Sequence, residues 1–349
     1  MPPRRASYHA TIADVARRAG VSTATVSRVL NQTGPVAERT AAAVREAVGE
    51  LSYAPRAAAQ SLARGRTNTL GLLLPEIGGA FFSPLVRGIE AVARRGGFDL
   101  LLYATEPTTG RATGLDRRLG ERNTDGVLIF ADSLDPGDLG RLHEARFPMV
   151  LLLQSPPQGL AIPCVSFENE KGARDVMDHL IEVHGYRRIG FLKGPEGQSD
   201  SARRESGYRG ALAAHGIAFD PGLVATGGFD EGVGQAATEE WLRQGVIPEA
   251  IFAGDDDSAH GVLLALQQQH LRVPEDVALA GFDDVYFSQY LNPPLTTVRA
   301  PIEEAGRLAA ELLVELIRTG SARAEVLLPT ELVVRCSCGC RWQRAPGAS

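Results

Sequence analysis

Cysteine, lysine and aromatic residues are scarce in this chain. Its 349 residues include four cysteines and two lysines, and 6% of them are aromatic. Four cysteines in so long a chain exclude the small secreted folds that depend on disulfides. No apolar run is long enough to cross a bilayer, and the basic start MPPRRASYHA lacks the apolar stretch of a secretory signal. We therefore expect a cytoplasmic protein with no membrane partner.

Motifs of enzyme active sites are missing as well. The sequence contains no GxxxxGKS or GxxxxGKT, no HExxH and no GxSxG, and its seven histidines follow no pattern. The CxCxC of Cys336, Cys338 and Cys340 is not a standard zinc spacing, and no histidine follows it, so we interpret it as a chance cluster of reduced thiols. The adjacent acids at 255–257 are not expected to converge on one ion. The sequence predicts a protein that is not an enzyme and has no metal or cofactor.

Charge is distributed unevenly along the chain. The net charge is −6 at pH 7, yet residues 1–66 contain ten arginines against four acidic residues and carry +6, so the remainder carries −12. A basic head on an acidic body is typical of a phosphate-binding module joined to a soluble sensor. A solvated basic tail is the alternative, although the arginines are interleaved with a patterned apolar core.

Residues 11–31, TIADVARRAGVSTATVSRVLN, predict two short helices separated by a tight turn. Apolar residues recur at three- and four-residue spacing, Thr11 and Ser22 precede the two patterns as helix caps, and Gly20 lies in the joint. The outward face of the second helix suits a DNA major groove, because it carries short donors and acceptors and one planar cation. An ordinary helical hairpin with a polar face is the alternative. This face consists of Ser22, Thr23, Ala24, Thr25, Ser27, Arg28 and Asn31.

A third helix is expected from Ala37 to Leu51, and Tyr53-Ala54-Pro55 ends it. Residues 8–54 then form a helix-turn-helix domain. The alanine-rich linker at 55–66 is helix-prone but only about two turns long, and isolated helices of that size are marginal in water. We expect the linker to be ordered only when something else holds it, although a passive tether is the alternative.

The pattern changes to α/β from Asn68 onward. Continuous apolar runs alternate with helical patterns, which predicts parallel sheets covered on both faces. So long an α/β region favours two lobes, with a ligand cleft at the carboxyl ends of the strands. The runs are at 70–74, 99–103, 126–130, 149–153, 188–192, 250–253 and 277–282.

Five motifs in order make the chain resemble the lac/galactose repressor family of bacterial transcription factors. The resemblance extends from about Thr11 to Ser337. The motifs are VSTATVSRVLN, the linker SYAPRAAAQSLARG, ARRESGYRGAL at 202–212, GFDD to NPPLTTVRAP at 281–301, and LPTELVVRCS at 328–337.

The resemblance implies a partner, double-stranded DNA. Thr23, Ala24 and Arg28 match the family positions that read base edges, and Leu62 matches a leucine that wedges into the minor groove, flanked by Ala58 and Ala59. The family dimerises through its body, so a homodimer on a pseudo-palindromic operator is implied. No apolar heptad follows Leu332, which favours a dimer over a tetramer. Thr11, Ser22, Thr25, Ser27 and Asn31 are better placed for phosphates.

The body resembles periplasmic sugar-binding proteins and implies an effector-binding and dimerisation domain at 67–340. Lobe one comprises about 67–166 and 297–328, and lobe two about 167–296 and 329–340. Leu153 and Gln154 stand where the family often has an acid followed by an arginine or an aromatic residue, which argues against a strongly anionic effector. The implied effector-binding residues are Phe82, Gln198, Arg204, Phe229, Asp255 and Asp283.

The sequence therefore predicts a repressor of carbohydrate-utilisation genes whose operator affinity is set allosterically by a small molecule, for which a sugar is the expected class. Whether the effector releases the operator or promotes binding stays open, as does activation instead of repression. A solute-binding protein of a sugar uptake system is the alternative function.

Overall fold

The computed structural model divides the chain into two compact units, residues 1–67 and 68–349. No helix in the described part of the chain is long and apolar enough to cross a membrane. The described residues are 10–31, 33–53, 66–105, 123–130 and 133–341.

The N-terminal unit contains three helices around a small apolar core. They are α1 (Ile12–Ala19), α2 (Thr23–Asn31) and α3 (Glu38–Glu50). Gly20 adopts a left-handed conformation (φ 67°) that ends α1, and its N–H bonds the carbonyls of Ala16 and Arg17. The three predicted helices and the turn glycine are thus confirmed. The core residues are Val15, Ala16, Val26, Val44 and Ala47.

Lobe one of the second unit is built on a six-stranded parallel sheet. Most of its inner strands are apolar runs buried between helices, as the continuous patterns predict, whereas the two edge strands are partly exposed. The helices are α4 (Gly79–Gly96), α5 (Pro136–Glu144) and α10 (Ile302–Thr319). The strand order is β11 (Glu325–Leu328), β5 (Cys164–Phe167), β4 (Met149–Leu152), β3 (Gly126–Phe130), β1 (Thr69–Leu74) and β2 (Asp99–Ala104).

Lobe two contains a four-stranded parallel sheet. Its strand order is β7 (Val224–Thr226), β6 (Ile189–Lys193), β8 (Ala250–Ala253) and β9 (Ala278–Ala280). Its helices are α6 (Asn169–Glu182), α7 (Ser199–Ala214), α8 (Glu231–Arg243) and α9 (Asp256–Gln268). The fold class, a helix-turn-helix unit and a two-lobed α/β unit with parallel sheets, is confirmed.

The chain crosses between the lobes near the antiparallel pair β10 (Thr297–Arg299) and β12 (Glu331–Val333). This pair departs from the expectation of parallel sheets, because the two segments run in opposite directions. The sequence patterns also missed β5, β7 and β11. These strands have only three or four residues and include polar ones, so no continuous apolar run marks them.

Two glycines bring α4 and α10 into backbone contact. A Cβ on Gly88 would lie 2.1 Å from the carbonyl oxygen of Glu303, and one on Gly306 would lie 2.2 Å from that of Leu85. Any larger residue would force the two helices apart. The close approach therefore depends on glycine at both positions.

Candidate functional site

The outward face of α2 is built on one buried anchor. Val26 is fully buried against α1 and α3, and this fixes which side of α2 faces solvent. Ser22 caps the helix, since the N–H of Thr25 donates to its Oγ at 3.1 Å. Ser22, Thr23, Ala24 and Arg28 are exposed, and Thr25, Ser27 and Asn31 are partly buried. The structure therefore brings the seven predicted residues of this face together on one short helix.

Arg28 differs from three other arginines of this unit, which are paired with carboxylates. Arg17 pairs with Asp14, Arg18 with Glu50, and Arg45 with Glu38, at 2.5–3.0 Å. Within the described ranges no carboxylate pairs with Arg28, so its guanidinium is available to an external acceptor. A planar fork of this kind can bond both acceptors of a guanine.

Thr11 lies at the start of α1 and already has intramolecular partners. Its Oγ1 donates to Oδ2 of Asp14 at 2.7 Å, and the Thr11 N–H bonds the same oxygen at 2.9 Å. The capping box confirms its predicted role as a helix cap. Ala58, Ala59 and Leu62 of the linker lie outside the described residues.

The predicted effector residues of lobe two lie at one edge of its sheet. Gln198 follows β6, Phe229 follows β7, Asp255 follows β8 and Asp283 follows β9. The carboxyl ends of parallel strands meet at the same edge, so this clustering is a consequence of the fold. Arg204 reaches the same edge from α7.

Arg204 is the centre of this edge. Its side chain is 3% exposed, and its Nη2 donates to Oδ1 of Asp283 at 3.0 Å. Nε donates to Oδ1 of Asn169 at 2.9 Å, and Nη1 donates to the Gly254 carbonyl. The sequence analysis missed Asn169 and Gly254. The only signal for Gly254 was its position immediately before Asp255, and no predicted motif includes Asn169.

Aromatic rings enclose the guanidinium. The Cζ of Arg204 lies 3.8 Å from the centroid of the Phe282 ring and 5.2 Å from that of Phe229. Cation–π contacts of this kind are strongest where water is excluded. They hold the guanidinium plane in one orientation beside Asp283. Asp283 itself has a left-handed backbone (φ 106°), which is uncommon for a residue with a side chain.

Three consecutive aspartates begin α9 and have different surroundings. Asp255 caps the helix, and burial, with the nearby Asp283 charge, raises its pKa to about 7. Asp256 is fully buried and accepts from Ser288 and Thr297, so it links α9 to β10. This role was not predicted. Because Asp256 faces inward while Asp255 caps the helix, the three carboxylates do not form one metal site.

Phe82 lies in lobe one, on α4 immediately after β1. Its ring packs edge-on against Phe81 and Phe130, at centroid distances of 5.5 and 5.2 Å. The residue is only partly buried. Burial raises the pKa of Asp257 to about 6, and among the charges that add to this effect is Glu76, also after β1. The carboxyl ends of the two sheets therefore face each other closely enough to interact electrostatically.

Direct contacts also join the lobes beside this edge. Arg203 of α7 donates to Oγ of Ser155, and Oγ of Ser166 donates to Oδ1 of Asp200 at 3.2 Å. Burial raises the pKa of Asp200 to about 6, although Arg204 lowers it. The edge thus combines a buried cation, several carboxylates and aromatic faces where the two lobes meet.

Comparisons with known proteins agree with the helix-turn-helix unit and with the two-lobed α/β unit. Residues 11–56 match the family described as bacterial regulatory proteins, lacI family, and residues 177–338 match a periplasmic binding protein-like domain. The chain is 35% identical over 310 residues to the HTH-type transcriptional repressor PurR of Vibrio atlanticus, covering 88% of this chain and 92% of that one. It is 34% identical over 326 residues to the ribose operon repressor of Escherichia coli, covering 93% and 98%.

Solved structures show the same architecture. The lac repressor dimer bound to operator and an anti-inducer superposes with a TM-score of 0.79 at 28% identity, covering 95% of this chain and 99% of that one. The complex of the transcriptional regulator CelR with cellobiose gives 0.70 at 34% identity, covering 94% and 100%. These relatives are regulators of transcription and not enzymes, and the solute-binding alternative is not favoured. The chain belongs to the lacI family of bacterial regulatory proteins and is a DNA-binding repressor regulated by a small-molecule effector.

Proposed function

We propose that this repressor controls carbohydrate-utilisation genes and responds to a neutral sugar bound between its lobes. The observation that carries the proposal is the buried Arg204–Asp283 pair, with Asp255 beside it and Phe229 over the guanidinium. Sugar hydroxyls both donate and accept hydrogen bonds, so they suit carboxylates next to a planar cation. A sugar ring also presents an apolar face, for which the partly buried Phe82 is a partner.

The charges at the cleft favour a neutral ligand over an anionic one. Arg204 already donates to Asn169, Gly254 and Asp283, whereas Asp255 and Asp257 are carboxylates with few cationic partners nearby. A phosphorylated sugar would have to be desolvated against these carboxylates. Two relatives support the same class, since one is named a ribose operon repressor and another was solved with cellobiose.

A ligand-binding experiment tests this proposal. Purified protein is titrated with a panel of neutral pentoses, hexoses and disaccharides, their phosphates, and nucleosides, and thermal stability is followed. A ligand that binds only the folded state raises the melting temperature. We expect stabilisation by a neutral sugar and its loss in Asp283→Ala, with operator binding retained. Stabilisation only by phosphates or nucleosides, or an unchanged response of Asp283→Ala, contradicts the proposal.

On the DNA side, we propose that Arg28, Thr23 and Ala24 read base edges from the major groove. The support is the exposure of all three and the unpaired state of Arg28 among the described residues. Thr11, Ser22, Thr25, Ser27 and Asn31 would hold phosphates. One helix-turn-helix unit reads a half-site, so a homodimer on a pseudo-palindrome, acting in the bacterial cytoplasm, completes the proposal.

Coupling between the two sites would pass through the 55–66 linker. We propose that lobe closure alters the contacts of Ser155 and Ser166 with α7, and with them the spacing of the two linkers in a dimer. Linkers held together would fold as helices, while separated ones would not, because a two-turn helix is marginal alone.

A further inference from the structure

Four metal-ligating side chains meet in lobe two, away from the ligand cleft. His179 lies in the last turn of α6, His184 follows that helix, and Cys338 and Cys340 belong to the segment after β12. One ligand atom from each lies within 4.8 Å of the other three. The sequence predicts a chance cluster of thiols here, because CxCxC is not a standard zinc spacing and no histidine follows it in the chain. The fold brings in two histidines that precede them by more than 150 positions.

The distances fit one central ion. Nε2 of His179 lies 3.5 Å from Sγ of Cys338 and 3.7 Å from Sγ of Cys340, and Nε2 of His184 lies 3.3 Å from Sγ of Cys340. A tetrahedral zinc ion, with Zn–S of about 2.3 Å and Zn–N of about 2.0–2.1 Å, places sulfur and nitrogen ligands about 3.5 Å apart. The observed distances bracket that value.

Hydrogen bonds alone do not account for the arrangement. Nε2 of His179 faces two sulfur atoms at once, although a ring nitrogen carries either one hydrogen or one lone pair. A cation at the centre would engage all four atoms together. All four cysteines of the chain are free thiols, so both sulfurs are available as ligands.

The cysteine turn is held in place by the surrounding structure. Gly339 has φ 107°, which lets the chain reverse between the two cysteines, and Oγ of Ser337 donates to the Leu279 carbonyl of β9 at 2.6 Å. Oγ1 of Thr296 donates to Sγ of Cys338 at 3.1 Å, a contact that stabilises a thiolate. The ring of Tyr186 stacks on His184 at 5.4 Å. Such outer contacts are typical of metal ligands whose geometry is preorganised.

We propose that His179, His184, Cys338 and Cys340 bind one structural zinc ion that fastens the C-terminal segment to α6. Two thiolates and two neutral imidazoles neutralise Zn²⁺, which suits a site where Cys338 is fully buried and its three partners are half-buried. Binding displaces one proton from each thiol, and no electron is transferred. Through Ser337 and Thr296, the same ion would restrain β9 and the approach to β10.

The test uses the full-length chain without a histidine tag. Protein incubated with ZnSO₄ and passed through a desalting column is analysed for metal by mass spectrometry, and a parallel sample is loaded with Co²⁺. We expect about one zinc per chain, cobalt spectra of a tetrahedral site with thiolate ligands, and a lower melting temperature after chelation. Cys340→Ser and His184→Gln each remove one ligand, so zinc affinity should fall at least about tenfold.

Cys336→Ser is the matched control, because Cys336 belongs to the CxCxC but not to the cluster of four ligands. It should retain one zinc and respond to the chelator like the wild type. Two ligand variants are used so that misfolding of one, detected by circular dichroism, leaves the other informative. The proposal fails if the reduced wild-type protein keeps no zinc or cobalt, if the folded ligand variants keep as much as the wild type, or if Cys336→Ser loses the metal equally.

Discussion

At the scale of single residues, the functional surfaces depend on which charges are already paired inside the protein. Arg17, Arg18 and Arg45 are occupied by neighbouring carboxylates, and Arg204 is occupied by Asp283. Arg28 faces solvent without such a partner in the described part of its unit. An arginine that is paired inside the protein positions neighbouring groups, whereas an unpaired arginine can bind an acceptor on another molecule. Two predictions at this scale concern Arg28 and Asp255.

Replacing Arg28 by alanine should weaken binding to the preferred operator by about 1–3 kcal/mol while changing binding to random DNA much less, because a bidentate base contact would be lost. Gel-shift titrations on both duplexes at fixed salt measure this difference. Arg28→Lys retains the charge without the fork and should lose most of the same discrimination. Arg45→Ala is the matched control, because it removes the same charge at an arginine of α3 that is already paired with Glu38. It should preserve the discrimination between operator and random DNA. Equal losses on both duplexes in Arg28→Ala would exclude it from base reading.

Replacing Asp255 by asparagine should stabilise the protein more at pH 8 than at pH 4. The folded-state pKa of Asp255 is raised to about 7, so folding favours the protonated carboxyl. Its stabilising contribution is complete below the ordinary pKa and is lost as the pH rises through 7. Asparagine cannot ionise and still caps α9. Each unit of raised pKa is worth about 1.4 kcal/mol, so we expect at least that much difference at pH 8.

Melting temperatures between pH 4 and 8 measure the effect of Asp255→Asn. Asp230→Asn is the matched control, because Asp230 is an exposed N-cap of α8 that accepts from the Val233 N–H. This control measures the effect of replacing an acidic helix cap by an amide cap at a position that is not buried. A pH dependence shared by the two variants would contradict a role for burial at Asp255.

At the scale of elements, the packing of helix pairs fixes the walls of the lobes. Gly88 and Gly306 permit α4 and α10 to touch through their backbones, and α4 carries Phe82 at the cleft. Asp256 connects α9 of lobe two to β10, near the crossing between the lobes. The positions of cleft residues therefore depend on contacts that are remote from any ligand.

Gly88→Ala should destabilise the effector-binding unit by about 1–3 kcal/mol, because the new Cβ would lie 2.1 Å from the Glu303 carbonyl oxygen and overpack the helix pair. Gly140→Ala in α5 is the control, because open space surrounds that position. There alanine should stabilise the helix by about 0.5–1 kcal/mol. Urea unfolding of the two variants measures both changes in the free energy of unfolding. An unchanged free energy of unfolding in Gly88→Ala would show that the two helices can move apart without cost.

At the scale of the whole molecule, the chain combines a DNA-binding unit with a ligand-binding unit. The linker between them carries Leu62, for which the minor-groove wedge stays a prediction. Unstacking a base step costs a few kcal/mol, and the bent duplex returns that energy by contacting more protein. Operator affinity would then depend on the order of the linker, and the effector would control that order.

Leu62→Gly should weaken operator binding at least about tenfold, because both the wedge and the helix propensity of the linker are reduced. Fluorescence anisotropy with labelled operator measures the loss. Ligand binding, followed by thermal shift, should stay at the wild-type level, since Leu62 precedes the effector-binding unit. Unchanged operator affinity would rule out the wedge.

Elements whose signals are local could be predicted from the order of residues alone. Helix caps at Thr11 and Ser22, the left-handed Gly20 and the continuous apolar strands are set by neighbours in the chain, so pattern and propensity reveal them. The motifs that resemble the family also implied that Arg204 and Asp283 bind the effector. They did not predict that the two residues form a buried ion pair.

Contacts between residues from different elements became visible in the fold. Asn169 and Gly254 became partners of Arg204 because the lobe-two sheet and its helices converge at one edge. The histidines at 179 and 184 reached Cys338 and Cys340 because the chain returns to lobe two after β12. Spacing along a sequence carries no information about such contacts, since they arise from the packing of elements whose contacting residues lie 35 to 161 positions apart.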